Sequence, residues 1–184
     1  KQMSKNCWIT IVNKAAGGGK TEKDWPVIEQ ELKKHGIHYQ AHFTSRRLHA
    51  SIIARNMIKE GYSRIIVVGG DGTMNEVING VFSQRTIHTT EVMLGMISVG
   101  TGNDWARMFN IPPDYKGAIE TIKRQKTFIQ DAGLVRYTKN GKEWKRYFIN
   151  IAGMGFDARV VERANRMKDK GKSGAFLYFY NIFS

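Results

Sequence analysis

The stretch Arg64-Ile-Ile-Val-Val-Gly-Gly-Asp-Gly-Thr-Met-Asn-Glu-Val-Ile-Asn-Gly-Val-Phe82 changes its period halfway along, and that change decides the fold. Arg64 to Val68 is a short β-branched run with no polar alternation, the pattern of a strand buried on both faces. After the glycines at 69–72, Met74, Val77, Ile78, Val81 and Phe82 recur at helical spacing and form one apolar face. A buried strand that turns through glycines into an amphipathic helix is half of a β-α-β unit, and such units build parallel sheets covered on both sides.

The same alternation extends in both directions. Upstream, Trp8 to Val12 reads as a buried strand ending in Asn13 and a glycine cluster. A helix is expected over 24–35, with Pro26 near its start and Gly36 after its end. Ile37 to Thr44 reads as a strand, and Ala50, Ile53, Ala54, Met57 and Ile58 mark a helix closed by Gly61. Downstream, Glu91 to Ser98 is a fourth strand, followed by a glycine-containing loop at 99–103 and helical segments to about Lys126, broken at Pro112-Pro113. Residues 1–130 are thus expected to be an α/β layer domain. Residues 127–152 instead read as two strands joined at Lys139-Asn140-Gly141, a strong hairpin turn. From Gly155 a basic helical stretch and a Gly/Lys-rich loop (169–173) follow. Residues 131–184 are expected to be the opening, incomplete portion of a second, β-rich domain.

Composition narrows the class. The 184 residues are 41% hydrophobic and 24% charged, which is globular rather than disordered. One cysteine, Cys7, excludes a disulfide framework, and no apolar run reaches the ~18 residues of a membrane span. Residues 1–6 lead into only a short apolar stretch, unlike a signal peptide, so a cytoplasmic protein is expected. The net charge is +13, with 18 basic and 11 acidic side chains in residues 1–130 against 11 and 5 in 131–184. Such an excess attracts nucleotides, nucleic acids or acidic headgroups. Histidines 35, 38, 42, 49 and 88 lack metal-ligand spacing and read as surface or strand residues.

Three strand ends carry glycine-rich polar loops: Asn13-Lys-Ala-Ala-Gly-Gly-Gly-Lys20, Gly69-Gly-Asp-Gly-Thr73 and Gly100-Thr-Gly-Asn-Asp104. Ligands of open α/β sheets bind beyond the carboxyl ends of the strands. Glycines there let backbone N–H groups approach phosphate oxygens, so three such loops on one edge point to a polyphosphate. Gly19-Lys20-Thr21 resembles the end of a Walker A loop, but the position of its first glycine is Lys14. Gly153-Met-Gly155-Phe-Asp-Ala158 fits a dinucleotide fingerprint without the acidic residue that should follow, and close strand–helix packing explains it as well. In the second loop, Asp71 beside phosphate-binding amides is placed to meet Mg²⁺. The structural alternative there is a tight turn and a capping box, with Thr73 as N-cap and Glu76 three residues on.

Gly69-Gly-Asp-Gly-Thr73 with Asn75 and Glu76, then Gly100-Thr-Gly-Asn-Asp104, then Asn150-x-x-Gly153-x-Gly155-Phe-Asp-Ala158, in this order and spacing, resemble the diacylglycerol kinase catalytic-domain family of lipid kinases. The resemblance covers nearly the whole chain. It implies a nucleotide-binding α/β domain like that of NAD kinases and diacylglycerol kinases, a β-sandwich domain that holds the lipid, and ATP with Mg²⁺ between them. It places the nucleotide against Asn13, Thr44, Gly69, Gly70, Asp71, Gly72, Thr73, Met74, Asn75, Glu76, Thr101, Gly102 and Asn103, with Lys14 standing where the family often has proline. Asp71 is the carboxylate nearest the nucleotide's metal. It is a candidate general base as in sphingosine kinases, although the bacterial relatives place that role, and their structural metal ligands, further along than residue 184.

The implied reaction is transfer of the γ-phosphoryl group of ATP to the hydroxyl of diacylglycerol or a related membrane lipid, at a peripherally approached, anionic membrane surface that suits the basic C-terminal part. This fragment would bind nucleotide even without turnover, and a homodimer is an assembly open to it. Two rivals remain. An NAD kinase or sugar-phosphate kinase shares Gly-Gly-Asp-Gly-Thr, but Met96 to Asp104 is the lipid-kinase form of the third loop. A nucleic-acid-binding module fits the sequence pI of 9.9, yet aromatic-basic RNA motifs, zinc spacings and recognition-helix patterns are all missing, so no nucleic acid is expected.

Overall fold

The computed structural model describes residues 6–100 and 102–150, and those up to Ile149 belong to one compact unit. A second unit begins at Asn150; the expected helix from Gly155, the basic loop at 169–173 and the Gly153–Ala158 motif lie outside the described residues. The elements run β1 (Trp8–Val12), α1 (Lys20–Lys34), β2 (Tyr39–Phe43), α2 (His49–Lys59), β3 (Arg64–Gly69), α3 (Asp71–Ser83), β4 (Met93–Ser98), α4 (Asp104–Met108), α5 (Tyr115–Arg124), β5 (Gly133–Lys139) and β6 (Lys142–Phe148). The first four strands form a parallel sheet in the order β2-β1-β3-β4. The expected α/β architecture with a parallel sheet is therefore present, and a β-rich antiparallel pair, β5–β6, follows it.

Strand pleating sorts the apolar residues into two cores. Ile9, Ile11, Ile65, Val67 and Met96 face α2 and α3, where Ile53, Ile58, Met74 and Val77 are buried. Trp8, Val12, Ile66, Val68 and Ile97 face the other way, onto Ile28 and Leu32 of α1 and Ile119 and Ile122 of α5. This double burial is why the strands carry continuous rather than alternating hydrophobic sequence. On the first side α3 rides directly on α2, because a Cβ at Gly80 would stand 2.4 Å from the Ser51 carbonyl oxygen.

Two helix starts differ from expectation. Helix α1 begins at Lys20 rather than near residue 24, so Pro26 lies inside it and gives no N–H to the Glu22 carbonyl one turn back. The start is set by Gly17, Gly18 and Gly19, whose φ angles of 62°, 67° and 89° turn the chain through left-handed backbone into the helix. Helix α3 begins at Asp71, inside the glycine motif, with extended Gly70 as its N-cap. The capping box expected from Thr73 and Glu76 is absent, since both lie within the helix and their side chains have other partners.

The hairpin turns at Asn140 and Gly141, both with positive φ (52° and 70°), as a two-residue turn between twisted strands requires. Strand β6 docks on α3 through side chains that imitate a strand partner. The Asn79 amide donates to the Tyr147 carbonyl (2.9 Å) while its oxygen accepts the Tyr147 N–H (3.0 Å). Asn75 donates to the same carbonyl at 3.2 Å, and the Phe82 and Tyr147 rings stack with centroids 4.3 Å apart. Among the described residues no helix is long and apolar enough to cross a membrane.

Candidate nucleotide site

The strand order reverses direction between β1 and β3, since the chain passes from β1 to one neighbour and later returns to the other. The crevice beyond the carboxyl ends of such a pair is where open α/β sheets take their ligands. Asn13 follows β1 and Gly69 ends β3, and the loops at these strand ends are joined across the crevice. The Asn13 amide donates to Thr73 Oγ1 at 2.9 Å, while Asn13 Oδ1 accepts the Ala15 N–H at 3.2 Å and so shapes its own loop. Thr73 is buried beneath this bond, and a Cβ at Gly69 would lie 2.7 Å from its hydroxyl.

The third loop closes on the second through Asp71. One carboxylate oxygen accepts the Asp104 N–H at 3.0 Å and the other the Trp105 N–H at 3.1 Å. Asp71 thus caps α4, whose own N-cap residue, Asn103, sits at φ 56° and gives its side-chain amide to the Gly100 carbonyl at 3.0 Å. A Cβ at Gly102 would come within 3.3 Å of the same Asp71 carboxylate. The first and third loops also meet, because a Cβ at Gly17 would lie 3.6 Å from the Gly100 N–H. The three loops are therefore one constellation, built around the first turn of α3.

The remaining expected residues divide. Thr44 directly follows β2, its N–H on the Val12 carbonyl at 2.9 Å, beside the loop that Glu76 holds. The Glu76 carboxylate accepts the N–H groups of Leu48 (2.8 Å) and Ala50 (3.2 Å), capping α2. Met74 is fully buried in the core, and Asn75 is turned to β6, where its oxygen accepts two bonds from Arg146 at 3.2 and 3.1 Å. Thr101 lies outside the described residues. Nothing in the sequence pointed to Asn79, whose partner is backbone 68 residues away. It was equally silent on the α1–α5 tie: Lys20 donates to Asp24 (2.7 Å) and to the Tyr115 hydroxyl (3.0 Å), which itself bonds Asp24. These partners push the Lys20 pKa up to about 12 and hold the Asp24 carboxyl below its ordinary range.

Gly70 and Gly72 stand apart from the other loop glycines. Gly70 is extended at φ −103°, and a Cβ there would make only ordinary contacts, the nearest at 3.7 Å. Gly72 is helical and exposed, and a Cβ there would meet nothing within 4 Å. Neither backbone strain nor internal packing calls for glycine at either position. Both glycines adjoin the first N–H groups of α3: those of Thr73 and Met74 donate to the Gly70 carbonyl, whereas those of Asp71 and Gly72 have no acceptor within the helix and carry its positive dipole end. That combination suits a phosphate approaching the backbone closely. Among the described residues no three His, Cys, Asp or Glu side chains cluster as a metal cage.

Residues 7–135 match the model of the diacylglycerol kinase catalytic domain. The chain is 34% identical over 161 residues to YtlR, a candidate lipid kinase of Bacillus subtilis, covering 85% of this chain and 50% of that protein. It is 32% identical over 180 residues to the diacylglycerol kinase of Staphylococcus haemolyticus, covering 97% of this chain and 50% of that one. A crystal structure of a diacylglycerol kinase from Bacillus anthracis superposes with a TM-score of 0.62 over 92% of this chain and 55% of the other, at 22% identity, and shows the shared fold. The chain spans about half the length of the curated relatives it matches. With the glycine loops gathered at the sheet's switch point and the family model matching across them, the chain belongs to the diacylglycerol kinase catalytic-domain family.

Proposed function

We propose that residues 1–130 form the nucleotide-binding part of an ATP-dependent lipid kinase, which transfers the γ-phosphoryl group to the hydroxyl of diacylglycerol or a related membrane lipid, and that 131–184 open the lipid-holding domain. The observation that carries this reading is the open space over Gly72, next to Gly70, where a Cβ would make only ordinary contacts: the fold itself requires glycine at neither position. Phosphates seated there would accept N–H groups from the first turn of α3, while Asn13 and Thr73 fix the width of the crevice. Asp71 already gives both oxygens to backbone donors, and a carboxylate retains further lone pairs. It is thus held rigidly enough to face a nucleotide-bound Mg²⁺ directly or through water. ATP would supply the phosphoryl group and Mg²⁺ would offset charge on its oxygens, in a reaction governed mainly by positioning. The proton of the lipid hydroxyl would pass to Asp71 or to a carboxylate beyond residue 184.

The proposal is tested by incubating the full-length protein with γ-labelled ATP, Mg²⁺ and either diacylglycerol or NAD. Labelled phosphatidate is the expected product. Label in NADP, or in neither acceptor despite bound ATP, would contradict the reading.

A further inference from the structure

The β5–β6 hairpin carries a surface that the nucleotide site does not use. Register pairs Tyr137 directly with Trp144, so their rings share one face of the hairpin. Both are exposed, Tyr137 by 41% and Trp144 by 52%. Trp8 and Trp105, by contrast, are buried, and Trp25 packs edge-on against Tyr39 and Phe43. Strand alternation places Lys139 and Lys142 on the same face as the two aromatic rings, whereas the guanidinium of Arg146 is held on Asn75 of α3. The hairpin's one acidic residue, Glu143, points to the opposite face and pairs there with Arg136 at 3.4 Å. One face of the tip is therefore aromatic and purely cationic.

We propose that this face, Tyr137 and Trp144 with Lys139 and Lys142, docks the protein on an anionic lipid bilayer, an inference that rests on the lipid-kinase reading and gives that enzyme its membrane contact. Tyrosine and tryptophan rings, apolar in body and polar at one edge, settle at the headgroup level of bilayers. Lysine stems lie along such rings while the ammonium groups reach the phosphates, each charge adding roughly a factor of five in partitioning, about 1 kcal/mol. The polar Asn140-Gly141 turn suits the interface and excludes deeper insertion. Single-stranded nucleic acid also stacks on aromatic rings among cations, but it follows a groove lined by successive platforms, and a two-residue turn offers one pair and no groove.

The test uses the full-length protein and vesicles of phosphatidylcholine with or without phosphatidylglycerol. Trp144 fluorescence should be quenched by lipids brominated high on the acyl chain when phosphatidylglycerol is present, and the quenching should vanish in Trp144→Phe. Lys139→Gln with Lys142→Gln should lower vesicle partitioning about thirtyfold, following the cost per charge. These exposed changes should leave phosphorylation of a dispersed short-chain diacylglycerol unchanged. Unquenched Trp144 on bound protein, wild-type partitioning by the double variant, or binding of single-stranded RNA in preference to vesicles would overturn the docking proposal. Quenching without any phosphorylation would support docking and sink the lipid-kinase reading instead.

Discussion

Both carboxylate oxygens of Asp71 accept backbone N–H groups, which makes this residue a structural cap as well as a candidate ligand position. Asp71→Ala leaves the N–H groups of Asp104 and Trp105 without their acceptor and should cost about 1–2 kcal/mol, the usual loss for a helix cap. Hydrogen exchange should show the loss locally, as faster exchange at Asp104 and Trp105 with protection in β1 and β3 retained. His42 provides a second test at this scale. It lies half-buried on β2 with its Nε2 buried and unpaired, and desolvation lowers its pKa, only partly opposed by Glu60. The unfolded chain then binds the proton more readily than the folded one, so stability should be full above the ordinary value of 6.5 and fall as the pH drops through it. Urea midpoints between pH 7.5 and 5 should decline in the wild type and decline less in His42→Gln. The Gly-Asp-Gly pattern was legible in the sequence as a glycine-rich turn from a buried strand into a helix. The backbone partner of Asp71 was not, because it lies 33 positions away and only the sheet's connectivity brings it near.

At the scale of elements, α3 is the part on which the others are set. Its first residue caps α4, Glu76 caps α2, Asn75 and Asn79 hold β6, and Gly80 admits α2. Periodicity placed this helix, since Met74, Val77, Ile78 and Val81 are all buried as the spacing requires. It misassigned the cap, because local pairing of Thr73 with Glu76 loses to tertiary partners for both. Asn79→Ala should leave the Tyr147 N–H and carbonyl without that partner and cost about 1–3 kcal/mol, seen as a lower urea midpoint and faster exchange at Tyr147. Gly80→Ala should separate α2 from α3 and cost a similar 1–3 kcal/mol by overpacking, measurable as a lower melting temperature. The start of α1 was hidden for a different reason: Pro26 looks like a helix opening, whereas the three left-handed glycines before Lys20 set the true one.

Across the whole molecule, the strand-and-helix alternation was enough to give a parallel sheet, but not its order, and the order is what locates the crevice between β1 and β3. The charge excess likewise named a class of partners without saying which surface meets them, a question the hairpin register begins to answer. The central claim is that the edge of this sheet is kept open for the phosphates of a nucleotide. Gly72→Ala tests it most directly, since the fold has room for the methyl group and a helix favours alanine over glycine by up to about 1 kcal/mol. Isothermal titration with Mg-ATP should show affinity reduced tenfold or more while the melting temperature stays level or rises. Unchanged affinity in a variant of unchanged stability would contradict the account.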